Sequence, residues 1–310
     1  MDLSVAICTW NRCDLLRQTL EGLTRMAIDG FTWEVVVVNN ACTDDTDAVI
    51  ATFADRLPLR RVFEPTPGLS AARNRAIREV RGTWIVFTDD DVLVGEQWLT
   101  SFMGTTRRFP NAAAIGGPIA PWFPVPPDEL LVRVFPTLGT GFCGLDHGPT
   151  ERVLPDQDVY GANMAFRLER IGDQRFLEGL GHKQDSQKAG DDVEFVRRIR
   201  SRGGDVVWSP EMKVSHYVMP KRMTVSYQAQ WLTDWARSEL RRTRGSSIPA
   251  GPLVAGAPRW LWRSVAVSYA RWQLARLVGS REPALVRLKE HSILKGWLLE
   301  SRAMAREGSA

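Results

Sequence analysis

Val35-Val36-Val37-Val38 is an unbroken β-branched run. A strand with one wet face alternates polar and apolar residues, so a run that is apolar at every position has to be covered on both faces, as a parallel strand between helix layers is. The flanking sequence supplies such covers. Leu3 to Cys8 reads as a strand, and Leu15, Leu16, Thr19, Leu20 and Leu23 follow it at helical spacing. After the valines, Val49, Ile50 and Phe53 form a helix face, Arg60 to Phe63 a weaker strand, Leu69 to Val80 a helix, and Thr83 to Thr88 another strand. Four βα units in succession predict an α/β fold, a mostly parallel sheet flanked by helices, with ligands bound beyond the carboxyl ends of its strands.

The strand ends carry the chemistry. Asp89, Asp90 and Asp91 directly follow the apolar stretch Trp84-Ile85-Val86-Phe87. Adjacent carboxylates repel and lose hydration where the chain leaves the core, so a divalent cation is the expected counter-charge, and hard oxygen ligands favour Mg2+ or Mn2+. The first strand ends in Thr9-Trp10-Asn11-Arg12, an aromatic suited to a nucleotide base beside an Arg suited to phosphate. The second ends in Asn39-Asn40, with Asn39 placed to read a base edge, while Thr43 and Asp44 read as turn and cap residues. Gly68 precedes a helix start with Arg73 one turn inside it, an arrangement that attracts anions. Gly190-Asp191-Asp192 opens an amphipathic helix marked by Val193, Val196 and Ile199, a position that suits a cap as well as catalysis.

Charge is divided along the 310 residues. Residues 221–310 hold 16 Lys and Arg against 6 Asp and Glu, or +10, and the first 220 hold 24 against 30, or −6. The tail reads as helical and carries Trp231, Trp235, Trp260, Trp262, Trp272 and Trp297. It suits either a solvated helical surface or contact with an anionic surface. Arg259, Arg263, Arg271 and Arg276 do not separate from Trp260, Trp262 and Trp272 on a helical wheel, which favours a lid over a membrane surface. Prolines at 118, 121, 124, 126, 127 and 136 predict an irregular connection from Gly116 to Pro136. The four cysteines lack CxxC spacing and read as reduced thiols. No signal peptide or spanning apolar run is visible, so the expectation is a cytoplasmic protein.

The motifs Thr9-Trp10-Asn11-Arg12, Asn39-Asn40, Gly68 to Asn74, Thr88 to Asp91, Gly161-Ala162-Asn163-Met164-Ala165, Gly190-Asp191-Asp192 and then His216 resemble, in order, those of family 2 glycosyltransferases with the GT-A fold. The resemblance covers about residues 3 to 220 and implies a domain over 1–220, with a nucleotide-binding half at 1–115, a catalytic half at 116–220 and a helical extension at 221–310. It implies that Asp89 and Asp91 match an Asp-x-Asp motif, that Asp91 binds the metal with His216 as a further ligand, and that Asp90 contacts sugar or ribose. Asp192 matches the second acid of the family's Glu-Asp pair, the catalytic base, with Asp191 standing where Glu is usual. Thr9, Trp10, Asn11, Arg12, Asn39, Gly68 and Arg73 would then hold the nucleotide, and Gly161, Ala162 and Asn163 the donor or acceptor sugar. Asn39 stands where many members have an Asp, and uridine is the expected base.

The implied reaction is inverting transfer from a nucleoside diphosphate sugar to an acceptor hydroxyl on a saccharide, a lipid-linked compound or another molecule, in cell-surface polysaccharide or glycoconjugate synthesis. Peripheral contact with an anionic membrane is a further expectation; a nucleic-acid partner is not expected. A sugar nucleotidyltransferase would usually carry a Gly-rich loop after the first strand, and Cys8 to Cys13 has no glycine. A non-catalytic nucleotide-sugar-binding protein would not need both metal acids and a base. An EF-hand is excluded because Val94 and Thr100 occupy the loop-glycine and closing-Glu positions.

Overall fold

The computed structural model describes residues 1–178, 190–243 and 245–307. The chain forms two compact units, one of Met1–Trp122 with Gly144–Tyr217 and the other of Phe123–Cys143 with Val218–Ala310. The first unit begins β1 (Leu3–Thr9), α1 (Cys13–Leu23), β2 (Trp33–Asn39), α2 (Thr46–Ala51), β3 (Leu59–Phe63), α3 (Leu69–Glu79), β4 (Trp84–Asp89), β5 (Val92–Val94), α4 (Trp98–Arg108), β6 (Ala112–Gly116) and β7 (Ile119–Trp122). After α5 (Glu129–Val134), which belongs to the second unit, it resumes with β8 (Arg152–Val153), β9 (Met164–Arg167), α6 (Leu168–Ile171), α7 (Asp191–Ser201), β10 (Asp205–Trp208) and β11 (Val214–Tyr217).

The first four large strands pair in the order β3-β2-β1-β4, all parallel, with Leu3 opposite both Trp33 and Trp84. Val35 to Val38 are each 0% exposed, as a two-sided strand requires. Beyond β4 the sheet becomes mixed, because β9 runs antiparallel between β4 and β6. That insertion sends the turn at Gly161–Asn163 to the carboxyl end of β4, beside the acids. At the opposite end of the sheet, Glu34 is buried and accepts from Ser4 Oγ (2.7 Å), Arg81 N (2.8 Å) and Arg60 Nε (2.8 Å).

A second sheet, β5-β11-β7, places His216 opposite Val92, one residue past Asp91. Two elements lie where an irregular connection was expected from the prolines, β7 and α5. β7 is the edge strand of its sheet, so Pro121 can turn its missing N–H away from β11. In α5, Asp128 caps the first turn by accepting from Leu131 N (3.1 Å), and the helix starts after Pro126-Pro127.

The second unit continues with α8 (Val225–Arg242), a hairpin of β12 (Leu253–Val254) and β13 (Ala257–Pro258), α9 (Arg259–Leu277) and α10 (Arg281–Glu307). Leu131, Phe135, Phe142, Val218, Leu232 and Leu285 form one of its cores. α9 packs on α10 through Leu261 and Val265 against Leu294 and Leu298, and Trp272 stacks on His291 with ring centroids 5.9 Å apart. No described helix is long and apolar enough to cross a membrane.

Candidate metal and active site

Asp89 Oδ2 and Asp91 Oδ1 lie 3.6 and 3.4 Å from His216 Nε2, and the three residues can turn ligand atoms within 4.8 Å of one another. Three strands make this cluster: β4 ends on Asp89, β5 begins after Asp91, and β11 brings in His216, with Tyr217 N donating to Asp91 O (2.9 Å). His216 Nδ1 sits 2.9 Å from the carbonyl of Tyr217. A carbonyl only accepts, so Nδ1 carries the hydrogen, and in the neutral ring Nε2 points a lone pair toward two carboxylates. Asp91 Oδ1 is buried and makes no hydrogen bond. Lone pairs converging in this way need a positive group between them, and two oxygens with an imidazole nitrogen fit a divalent cation.

Two arginines brace the acids. Arg12 Nη1 donates to Asp91 Oδ2 (2.9 Å) and Asp90 Oδ1 (3.2 Å). Arg73 Nη1 donates to Asp191 Oδ2 (2.9 Å), while its Nη2 lies 3.7 Å from Asp89 Oδ1. Both were expected to face phosphate; in the structure both pair with carboxylates of the chain, and for Arg73 burial makes an unpaired guanidinium costly. Arg73 is 3% exposed. Burial works against the charge on Asp89, yet His216 in its protonated form, with Arg73 and Arg12, holds its carboxyl below the ordinary range. Burial pushes the Asp90 carboxyl up, with Arg12 opposing. Asp90 was expected to touch sugar or ribose but is 4% exposed beneath Arg12, so Asp89 is the acid with an open side.

Across the site, Gly190 has φ +115°, a conformation that glycine adopts without strain, and it turns the chain into α7. Asp191, the first residue of α7, is buried in its pair with Arg73 and also accepts from Ser70 Oγ (3.2 Å). Asp192 is only half-buried; its Oδ2 accepts from Gly161 N and its Oδ1 from Val193 N, both at 2.8 Å. Burial raises its carboxyl above the ordinary value despite the opposing pull of Arg73, and the Asp191 charge adds to the rise. A Cβ on Gly161 would fall 1.9 Å from Arg73 Nη2, so the glycine is the space the guanidinium occupies.

The loops at the ends of β1 and β2 interlock. Asn11, at φ +50°, accepts from Thr43 N (2.7 Å) through Oδ1, and Asp44 Oδ2 accepts from Cys13 N (2.9 Å) at the start of α1. Asp44 also closes a turn on Thr46 N (3.2 Å), in line with its reading as a turn and cap residue. Thr9 is buried and its carbonyl accepts from Asn40 N (3.0 Å), whereas Trp10 is 41% exposed at the loop tip. Asn39 departs from expectation: its Oδ1 accepts from Cys42 N (2.8 Å) and its Nδ2 donates to Asp47 (2.6 Å), so the amide holds its own turn. Asn40 does similar work on the next loop, donating to the carbonyls of Glu64 and Thr66 and accepting from Gly68 N.

Asn163 departs too. It is 0% exposed, donates to the carbonyls of Pro118 (3.0 Å) and Met212 (2.6 Å), and accepts from Trp98 Nε1 (2.9 Å), so its amide ties two connecting loops to the start of α4. Ala162 is buried, with its carbonyl taken by Thr88 Oγ1 (3.1 Å). Of that motif, Gly161 reaches the acids. Thr19, read only as a helix-face position, holds the acid turn by donating to Asp90 O (2.9 Å) and accepting from Val92 N (3.1 Å). A lone hydroxyl among leucines on a buried face was the available signal.

Residues 4–121 match the family model described as Glycosyl transferase family 2. The chain is 24% identical over 238 residues to the succinoglycan biosynthesis protein ExoM of Rhizobium meliloti (strain 1021), covering 74% of this chain and 71% of that one. Its fold is similar to S. aureus TarS 1-349, solved in complex with UDP-GlcNAc (TM-score 0.55, 15% identity, 99% of this chain and 92% of that one). It is also similar to the mannosyltransferase PcManGT of Pyrobaculum calidifontis, solved with GDP-Man and Mn2+ (TM-score 0.57, 18% identity, 96% and 86%). The chain is a glycosyltransferase with the GT-A fold, and it matches family 2 over residues 4–121.

Proposed function

We propose that this glycosyltransferase moves a sugar from a nucleoside diphosphate donor to an acceptor hydroxyl, inverting the anomeric carbon. The observation that carries the reading is the pairing of Arg73 with Asp191, its other nitrogen turned to Asp89, which ties the metal-type acids to the helix whose second residue is Asp192. Asp192 accepts the acceptor's proton as its oxygen attacks the anomeric carbon from the side opposite the diphosphate; the bond to diphosphate breaks in the same displacement. Its two backbone donors fix the carboxylate, and Asp191 positions it from within the ion pair. Asp89, Asp91 and His216 would hold Mn2+ or Mg2+. Bound there, the cation would offset negative charge on the departing diphosphate.

Trp10, Thr9, Asn11 and Gly68 lie on the loops at the strand ends, and the exposed Trp10 ring suits stacking on a base. We take uridine diphosphate as the donor nucleotide because TarS is solved with UDP-GlcNAc, and GDP is its rival through PcManGT. The acceptor belongs to cell-surface polysaccharide or glycoconjugate synthesis, a reading supported by the likeness to ExoM, a succinoglycan biosynthesis protein, and is a saccharide, a lipid-linked sugar or a similar hydroxyl compound. We place the reaction in the cytoplasm, with residues 1–220 as the catalytic domain and the basic residues 221–310 as an extension in peripheral contact with the membrane.

Calorimetric titration with UDP and GDP, each with Mn2+ and with chelator, tests the site. Binding should require the cation and be lost or strongly weakened in Asp91→Ala, with a smaller loss in His216→Ala. Full cation-dependent affinity in Asp91→Ala would refute the assignment. Proton NMR of the first-formed product reads the anomeric configuration, and retention there would refute inversion.

A further inference from the structure

We propose that the outward face of α9 is a docking surface for a bilayer of anionic lipids. This deepens the peripheral-membrane part of the reading above and rests on it. The side of α9 that packs on α10 carries Leu261, Val265, Ser268 and Trp272. The opposite side follows from helical spacing and from exposure: Val267 is 40% exposed, Leu274 62% and Leu277 84%, and Val278 just past the helix end is 71% exposed. Large aliphatic residues in a line on water are expensive for a protein that keeps them free.

The charge on the same face has one sign. From Arg259 to Leu277 α9 holds four Arg and no Asp or Glu, and of these Arg276 lies over the Trp272 ring. Arg259, Arg263 and Arg271 are exposed, and none of them pairs with a carboxylate among the described residues. Elsewhere in the unit the pattern is the reverse: Arg237 and Arg241 pair with Glu300, and Arg287 with Glu290. Unpaired guanidinium groups beside projecting aliphatic side chains match the two layers of an anionic membrane surface, phosphate outside and acyl chains beneath. A second copy of the chain meeting this face would set Arg against Arg with no acid from α9 to offset it. The wheel pattern of the sequence obscured this surface because Trp262 and Trp272 turn toward α10 and leave the outer face to Leu and Val.

The test is co-sedimentation of the full chain with vesicles of phosphatidylglycerol and phosphatidylcholine, against pure phosphatidylcholine, at rising salt. The wild type should bind the anionic vesicles and detach as screening grows. Replacing Arg259, Arg263 and Arg271 by Gln should lower the partition constant about fivefold for each residue. Leu274→Ser combined with Leu277→Ser and Val278→Ser should weaken binding and leave thermal unfolding unchanged, since these side chains are exposed. Wild-type binding that neither set of changes weakens would overturn the α9 assignment while the peripheral reading stands. No binding at low salt would overturn both. Conversion of a dimer to a monomer by the serine variant in sedimentation velocity would identify a protein interface and overturn the lipid assignment.

Discussion

Arg73 Nη1 donates to Asp191 Oδ2 at 2.9 Å, joining residues 118 apart in the sequence, and each is 3% exposed. The pair sits between α3 and the first turn of α7, so it fixes the helix that presents Asp192. A buried ion pair adds little net stability compared with apolar residues of the same shape, but a lone buried charge is far worse than either.

Arg73→Met should therefore cost about 3–5 kcal/mol in urea unfolding, because it leaves Asp191 uncompensated. Adding Asp191→Asn to Arg73→Met should restore a large part of that loss without restoring transfer. Additive losses in the double variant would show that the two residues are not coupled.

Gly161→Ala tests the space argument. The added methyl would meet the guanidinium at 1.9 Å, and the pinned Arg73 cannot swing away without leaving Asp191. Overpacking of this kind costs about 1–3 kcal/mol, and single-turnover transfer should fall as the Gly161 N–H to Asp192 shifts. In the Arg73→Met background the stability cost of Gly161→Ala should shrink. An unchanged cost there would place the strain elsewhere.

Much of this arrangement was legible in the sequence, for reasons that also explain what was not. The apolar run at Val35 to Val38 and the acids after Trp84 to Phe87 are local patterns, and strand burial turns them into β2 and the end of β4. His216 reached the acids because β11 pairs beside β5, as its place near a strand end allowed. Less legible were residue types whose role depends on distant partners. An Arg by type says anion, but only the fold reveals that the anions are Asp90, Asp91 and Asp191 of the same chain. Asn39 and Asn163 by type suit ligand reading, yet each lies where a turn or connecting loop leaves backbone groups in need of partners. Pro121 marked a break, and the edge position of β7 made it harmless.

Glu34 gives the fold a pH dependence separate from the active site. Burial raises its carboxyl, but the hydrogen bonds from Arg60, Ser4 and Arg81 N outweigh that and the net shift is downward. A carboxyl lowered on folding stabilises fully above its unfolded value of about 4.3, and that contribution is lost as pH falls through the lower folded value. Urea unfolding below about pH 4.3 should show this loss, and Glu34→Gln should flatten the slope in that window. An identical slope in Glu34→Gln would remove Glu34 as its source.

Asp192 sets the last expectation, because its carboxyl is raised by burial and by Asp191 while Arg73 opposes. As a base it works only when ionised, so single-turnover transfer should fall as pH drops through a value above the ordinary Asp pKa of about 3.9. Asp192→Asn keeps the shape and an acceptor for the Gly161 N–H but cannot take the proton. It should fold, bind nucleotide with cation, and lose on the order of a hundredfold to ten-thousandfold in transfer. Asp191→Asn should lose less, and by removing a neighbouring negative charge it should move the acidic limb downward. The outcome that sinks this assignment is a limb that stays in place in Asp191→Asn together with near-normal transfer by Asp192→Asn; the base would then be another group, and Asp192 only a fastener for the turn at Gly161.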